Sequence, residues 1–432
     1  MDRSGDLDKD ICEGGLAWKI RRAKDRYSPS TTLRKLNQRR MTLDTIANGD
    51  NLTTRPAVPR LRIAQVAPLY ESIPPKLYGG TERVVSYITE ELVRRGHHVT
   101  LFASGDAQTG AKLAPGCPQS LRLAGKPELG IVLQLPMLTD VYDQAPRRFD
   151  VIHSHIDFWS FPFAMRSSVP TIATMHGRLD VEEFHPVYAR YRAIPLVSIG
   201  DAQRAPLPRM NWVRTVHHGM PRDLLRFSPG PGKYLAFLGR ISPEKRPDIA
   251  IEVARRAGIP LKIAAKVDVV DRDYFNAVIK PLLSPPDVEY IGEINDAEKS
   301  DFLGGALALM FTIDWPEPFG LAMIEALACG TPVIARPCGS VPEVIRPGIG
   351  GFIADRVEDL VTAVGKVSHL SRERCRQEFN ERFAVEVMVD RYEEVYQQLI
   401  GQNRAKAFGR PKEIHYRAEI PQPHARVRES GL

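Results

Sequence analysis

Glu317 and Glu325 stand eight residues apart in Glu317-Pro-Phe-Gly-Leu-Ala-Met-Ile-Glu325-Ala-Leu-Ala-Cys-Gly-Thr-Pro-Val-Ile-Ala335, two carboxylates around the start of an otherwise apolar stretch. Carboxylates accept hydrogen bonds from hydroxyls, and the exposed N–H groups at a helix mouth favour anions. The pattern therefore suits a ligand that carries both hydroxyls and phosphates. Were the segment helical throughout, at about 1.5 Å per residue the acids would lie on the order of 12 Å apart. A retaining glycoside hydrolase needs its two carboxyl groups roughly 5 Å apart around one bond. The pair reads instead as two grips on one extended ligand, with the reach of a nucleotide sugar held at its hexose and its ribose.

A second charged constellation is Gly239-Arg240-Ile-Ser-Pro-Glu-Lys245, directly after a predicted strand. Arginine offers a planar fork and lysine a mobile point charge, a combination suited to a diphosphate, although a basic surface turn would look the same in isolation. Gly79-Gly80 follows the first predicted strand and opens a helix; any tight strand-to-helix turn uses such a pair. Histidines occur in His153-Ser-His155, in Thr174-Met-His176-Gly177 and in His217-His218-Gly219. There is no G-x-G-x-x-G, no HExxH and no paired Cys/His spacing. Asp271-Arg-Asp273 has the form of a metal-binding triplet, but such triplets are common in charged loops, and no metal is expected.

The acidic string resembles the glutamate-x7-glutamate motif of the retaining glycosyltransferases of family four, which have the GT-B fold. The likeness spans roughly residues 60–400, and it rests on Glu-Pro-Phe-Gly before the second acid and Ala-x-Gly-Thr-Pro-Val after it. It implies that Glu317, with the backbone of Phe319 and Gly320, contacts donor-sugar hydroxyls, and that Glu325 holds the ribose diol. Gly80, Phe319, Gly320, Leu321 and Glu325 become the donor-binding set. By the same likeness Arg240 and Lys245 neutralise the departing diphosphate, and His176 lies near the sugar, so that Arg240, Lys245, Glu317 and His176 form the catalytic set. Gly79, His155, Ser340 and Glu343 are placed on the cleft or the acceptor side. Gly339-Ser-Val-Pro-Glu343 resembles the family's Gly-Gly-x-Pro-Glu, with Ser340 in place of a glycine, which puts that backbone contact in question. His217-His218-Gly219 resembles a His-Asn-Gly turn and reads as architectural.

These residues must be positioned by alternating strands and helices. Leu61–Ala67, a Gly-rich loop, a helix with Val84, Val85, Ile88, Leu92 and Val93 on one face, and His98–Ala103 make a βαβ unit. Further strands are predicted at Val151-Ile152, Thr171–Thr174, Leu196–Ile199 and Val213–Val216; residues 104–149, rich in Pro and Gly, read as loops around a short helix. A second unit starts at Tyr234–Leu238, continues in a helix near 246–257, and alternates to about Phe383. The expected fold is α/β, GT-B, with two facing Rossmann-like domains and an interdomain cleft. The expected division is a disordered basic extension at 1–58, an N-terminal acceptor domain at 59–227, and a C-terminal donor domain at 228–384. A helix at 385–400 that crosses back, and a flexible basic tail at 401–432, complete it.

Length supports two cores: 432 residues exceed one ordinary domain. Five scattered cysteines, an odd number, argue against a disulfide framework, and no apolar run approaches a membrane span or a secretory signal, so a cytoplasmic protein is expected. The net charge of +7 gathers at the ends. Leu16, Ile20, Ala23 and Tyr27 share a helical stripe flanked by basic residues. Three readings stand open for that extension: disorder, an over-extended reading frame, or an interfacial helix with weak membrane-surface association. Nucleic acid is not an expected partner, for lack of an aromatic and basic stripe.

The resemblance implies transfer of a sugar from a nucleoside-diphosphate sugar, with retention at the anomeric carbon, to an acceptor that is a small molecule, a glycan or a lipid. No protein nucleophile and no cofactor can be picked out. A nucleotide-sugar epimerase of the same fold and a non-catalytic nucleotide-sugar-binding protein are the rival readings.

Overall fold

The computed structural model describes residues 59–76 and 79–408, with side chains as far as Ala405. The basic extension with its amphipathic stripe and the tail beyond Phe408 lie outside the described residues.

The first lobe is built on β1 (Arg62–Val66), α1 (Gly80–Arg94), β2 (His98–Ser104), β3 (Lys112–Cys117), α2 (Gly130–Arg148), β4 (Val151–Ser154), β5 (Thr171–Thr174), β6 (Leu196–Ser198) and β7 (Trp212–Thr215). Its strands form one parallel sheet in the order β3-β2-β1-β4-β5-β6-β7. The second lobe contains β8 (Tyr234–Arg240), α3 (Pro247–Ala257), β9 (Leu261–Lys266), β10 (Val288–Gly292), α4 (Asp296–Gly304), β11 (Ala306–Phe311), α5 (Leu321–Ala328), β12 (Val333–Ala335), β13 (Gly351–Ile353), α6 (Val357–Lys366) and α7 (Arg372–Arg382). Its sheet, also parallel, runs β10-β9-β8-β11-β12-β13. The molecule is therefore α/β with two Rossmann-like sheets, the GT-B arrangement.

Parallel strands covered by helices on both faces read as unbroken apolar runs. Leu235, Ala236 and Phe237 of β8 and Ala308, Leu309 and Met310 of β11 are all buried. Each sheet reverses its strand order once, at β1/β4 and at β8/β11. Ligands of open α/β sheets bind at such switch points, outside the carboxyl ends of the strands.

The last helix, α8 (Val385–Phe408), packs on α1 of the first lobe. Buried Tyr392, Val395, Tyr396 and Leu399 share a core with Val84, Ile88 and Leu92. Arg95 fastens the two helices, reaching Glu91, Asp390 and Glu393 at 2.7 Å each, while Glu393 also takes His97 Nε2 at 2.8 Å.

Residues 104–149 depart from the reading of loops around a short helix. They hold the edge strand β3 and the 19-residue helix α2, which carries Pro136 and Pro146 within it. A proline in a helix forfeits one backbone hydrogen bond and crowds the preceding turn. The buried face of Met137, Leu138, Val141 and Ala145 offsets that cost through packing against the sheet. The final helix likewise runs two turns past its expected end at Ile400.

Candidate functional site

The carboxyl ends of both sheets open onto one cleft of about 550 Å³. Arg240, Lys245, Glu317 and Glu325 line it from the second lobe, and Gly79, Gly80, His155 and His176 from the first.

Adjacent strands bring the basic and acidic motifs together. β8 ends at Arg240 and β11 leads toward Glu317, and the two strands pair directly. The loops that follow them are tied as well. Thr312 Oγ1 donates to the Arg246 carbonyl at 2.8 Å, and Asp314 N donates to the Glu244 carbonyl at 2.8 Å. Lys245 Nζ in consequence forms an ion pair with Glu317 and lies 4.9 Å from the centre of the Trp315 ring. Arg240 reaches Glu244 at 2.5 Å and Asp268 and Asp271 at 3.5 Å, so the acid of the Asp271-Arg-Asp273 triplet serves as a partner of an arginine.

Glu317 is held by its neighbours' backbone. Gly339 has φ 55°, and a Cβ there would come within 2.3 Å and 2.4 Å of the Glu317 carbonyl oxygen and nitrogen. Gly320, at φ 82°, caps α5, which begins at Leu321. The four residues 317–320 are thus not helical, and only Glu325 projects from the helix itself. Glu325 is buried and takes Lys299 Nζ at 2.7 Å; Lys299 also reaches Asp296 at 3.2 Å. Asp296 in turn pairs with Arg83 of α1, which links the two lobes beside Glu325.

On the opposite wall the first turn of α1 faces the Glu325 helix, and a Cβ on Gly80 would meet Leu321 Cδ1 at 3.7 Å. A hydrogen-bonded chain runs behind it. Gln65 Nε2 reaches Tyr396 OH at 3.3 Å, and Gln65 Oε1 meets His155 Nε2 at 2.8 Å. His155 Nδ1 meets His176 Nε2 at 2.9 Å. Because a carbonyl oxygen only accepts, His155 must donate from Nε2 and accept at Nδ1, which requires His176 to donate from Nε2. His176 Nδ1 is left as an acceptor, and among the described residues it has no partner. Burial keeps these rings neutral, pushing His176 down to about 3 and His153, His155 and His218 well below the usual histidine range.

Asp157, Gln134 and Trp159 also line the cleft from the first lobe. Asp157 follows β4 with a left-handed φ of 49°, partly buried, and burial pushes its carboxyl up to about 6. Gln134 of α2 is buried, and its Nε2 has no hydrogen-bond partner among the described residues. Trp159 remains 42% exposed at the rim. No periodicity or motif marks any of them; only the unusual backbone at Asp157 and the topology place them together. Lys299 of α4 carries no motif of its own, since a lysine on a helix normally faces water.

Ser340 and Glu343 require correction, for neither lines the cleft. Ser340 is fully buried and works as a brace for the Glu317 loop: its Oγ donates to the Phe319 carbonyl at 2.7 Å, and its N–H donates to the Glu317 carbonyl at 3.0 Å. Glu343 accepts from the backbone N–H of Asp201 at 2.6 Å and of Ala202 at 2.7 Å, and meets His217 Nε2 at 3.2 Å. Burial alone would raise that carboxyl, yet these bonds hold it below its ordinary value. Its role is to join the second lobe to the turn after β6. Among the described residues no cluster of three or more His, Cys, Asp or Glu is arranged to hold a metal ion. None of the described helices is long and apolar enough to cross a membrane.

The family described as Glycosyltransferase Family 4 matches residues 78–227, and that described as Glycosyl transferases group 1 matches residues 226–382. The chain is 26% identical over 352 residues to the D-inositol 3-phosphate glycosyltransferase of Mycolicibacterium gilvum (strain PYR-GCK), covering 67% of this chain and 77% of that protein. Among solved structures it is similar to sucrose-phosphate synthase from Thermosynechococcus elongatus, with a TM-score of 0.63 and 19% identity over 79% of this chain and 99% of the other. Anabaena Alr3699/HepE in complex with UDP-glucose gives a TM-score of 0.60 and 18% identity over 79% of this chain and the whole of that one. At these identities the structural likenesses speak for the fold.

Proposed function

Since the chain belongs to the glycosyl transferases group 1 family and is a glycosyltransferase of GT-B fold, we propose that it moves a sugar from a nucleoside-diphosphate sugar to a hydroxyl acceptor with retention at the anomeric carbon. The observation that carries this reading is the meeting of Arg240, Lys245, Glu317 and Glu325 on one wall of one cleft. In this reading Glu325 holds the ribose diol beside Lys299, and the diphosphate lies toward Arg240 and Lys245 and the first turn of α1.

The Lys245–Glu317 pair gives the site a way to couple donor binding to sugar recognition. A diphosphate arriving at Lys245 competes for the ammonium group. Glu317 is then released to accept hydrogen bonds from sugar hydroxyls, and His176 Nδ1 accepts a further one. As the bond to the anomeric carbon breaks, negative charge grows on the leaving diphosphate, where fixed cations and helix N–H groups in a water-poor cleft stabilise it most. Arg240 and Lys245 supply that charge in place of a divalent ion. A structural neighbour described with UDP-glucose suits such a donor site.

Thermal-shift screening against nucleoside diphosphates, followed by mass analysis with candidate acceptors, tests the reading. At a hundredfold excess over Kd a true ligand adds about 2.7 kcal/mol of stability. At least one nucleoside diphosphate should raise Tm in the wild type, and a chain that responds to none would contradict the donor assignment.

A further inference from the structure

The first-lobe wall of the cleft differs in charge from the second. The charged first-lobe residues that line it are Glu82, Arg83, Arg122 and Asp157. Both arginines are already engaged by acids: Arg83 with Asp296, and Arg122 with Glu71 at 2.8 Å. Glu82 and Asp157 have no such cationic partner among the ion pairs of the described residues. Residues 77 and 78, which are not described, are Leu and Tyr and bring no charge. With Glu71 counted, the first-lobe groups here are three acids against two arginines; Asp296, which pairs with Arg83, comes from α4 of the second lobe. The lysines of the cleft, Lys245, Lys266 and Lys299, all belong to the second lobe.

On the same wall two polar groups lack partners, and the Trp159 ring, which meets Phe158 at 5.0 Å, is partly exposed. The Gln134 side chain is buried, lines the cleft, and has an unpaired amide Nε2. An amide in that position loses its hydration without compensation unless something else accepts from it. Asp157 makes no hydrogen bond or ion pair with a described residue, although its backbone is held at φ 49°, a conformation that carries strain in a non-glycine residue. Trp159, exposed at the rim, offers an apolar face. An acid, an amide and an indole face together match the surface of a sugar or polyol, whose hydroxyls donate and accept and whose C–H face is apolar.

We propose that the acceptor is an uncharged polyhydroxylated molecule, a sugar or a polyol, bound on the first-lobe wall by Asp157 and Gln134 and stacked on Trp159. Asp157 accepts from its hydroxyls, and the Gln134 amide donates to them. A phosphate ester is disfavoured, because on this wall it meets the Glu82 and Asp157 carboxylates, and to reach an arginine it must displace Glu71 or Asp296. The proposal rests on the reading of the cleft as a transferase site, with the donor on the second lobe, but its test does not require transfer.

Ligand-observed NMR titration of the full chain, with and without UDP, uses matched probes: myo-inositol against inositol 3-phosphate, and glucose against glucose 6-phosphate. The uncharged member of at least one pair should bind at least about tenfold more tightly than its ester. Asp157→Asn keeps the volume and tolerates a left-handed backbone, since Asn visits that region readily. It and Gln134→Leu should each weaken the uncharged ligand about five- to tenfold, while the affinity for UDP stays within about twofold. An ester that binds as tightly as its parent, no binding by either uncharged probe, or two variants that leave the affinity unchanged would each overturn the proposal. Loss of UDP binding in the wild type, with the polyol results as expected, would instead strike the donor reading alone.

Discussion

Lys245 and Glu317 neutralise one another across the gap between the loops that follow β8 and β11, and both side chains are largely shielded, at 19% and 13% exposure. The pair exists because β8 and β11 are neighbours at the switch point of the second sheet. Lys245→Ala should lower kcat by about two to three orders of magnitude, the usual effect of removing one preorganised charge from a developing anion. Folding should suffer little. Steady-state kinetics beside a thermal melt would show it, and an active Lys245→Ala enzyme would remove the diphosphate role.

Glu317→Gln preserves shape and removes the charge. If the carboxylate accepts sugar hydroxyls, this change should cut kcat/KM for the sugar donor by about tenfold or more and leave binding of the bare nucleoside diphosphate nearly unchanged. Equal losses for both ligands would place Glu317 on the diphosphate instead.

Glu325 is buried, and Lys299 answers its charge. Glu325→Gln should weaken nucleotide binding about tenfold, measured by calorimetry with the free nucleoside diphosphate, and lower kcat much less. A fall confined to kcat would contradict a ribose contact.

Gly339→Ala tests the frame rather than the chemistry. Its Cβ would meet the Glu317 backbone at 2.3 Å and 2.4 Å, and alanine disfavours φ 55°. The Glu317 loop must shift, so activity should drop sharply, with destabilisation on the order of 1–3 kcal/mol. Gly80→Ala, whose Cβ would only touch Leu321 at 3.7 Å, should fold normally. Similar melts for both variants would show that the close approach does not constrain the loop.

The histidine cluster predicts acid sensitivity. His153, His155, His176 and His218 have folded pKa values depressed by burial, so the unfolded chain binds more protons once pH drops below about 6.5. Stability is full above that value and is lost as pH falls, by up to about 1.4 kcal/mol per pH unit for each ring. Asp157, whose folded value of about 6 lies above its unfolded one, and Glu82 and Asp271, which burial also raises, act in the opposite sense, three groups against four. Denaturant melts between pH 7.5 and 5 should therefore lose stability as pH falls, and a flat profile would contradict a neutral, buried cluster.

Much of the second-lobe wall of the cleft was legible because its residues travel in short strings: Glu317 to Glu325, Arg240 to Lys245, and glycines at strand ends. Strong apolar strands fixed the two parallel sheets. The paired prolines in α2 hid a long helix, since proline normally argues against one. Ser340 and Glu343 were misplaced because a loop motif shows which residues travel together and not which side chains turn inward. Asp157, Gln134 and Trp159 come from separate elements and meet only through the topology, so no local pattern announces them.

The most direct measurement follows a panel of nucleoside-diphosphate sugars with mixed sugar and polyol acceptors by proton NMR. Release of the nucleoside diphosphate should accompany a new glycoside with the donor's anomeric configuration in the wild type, and neither signal should appear with Lys245→Ala. Isomerisation of the donor sugar without a glycoside, or an unchanged product from Lys245→Ala, would contradict it.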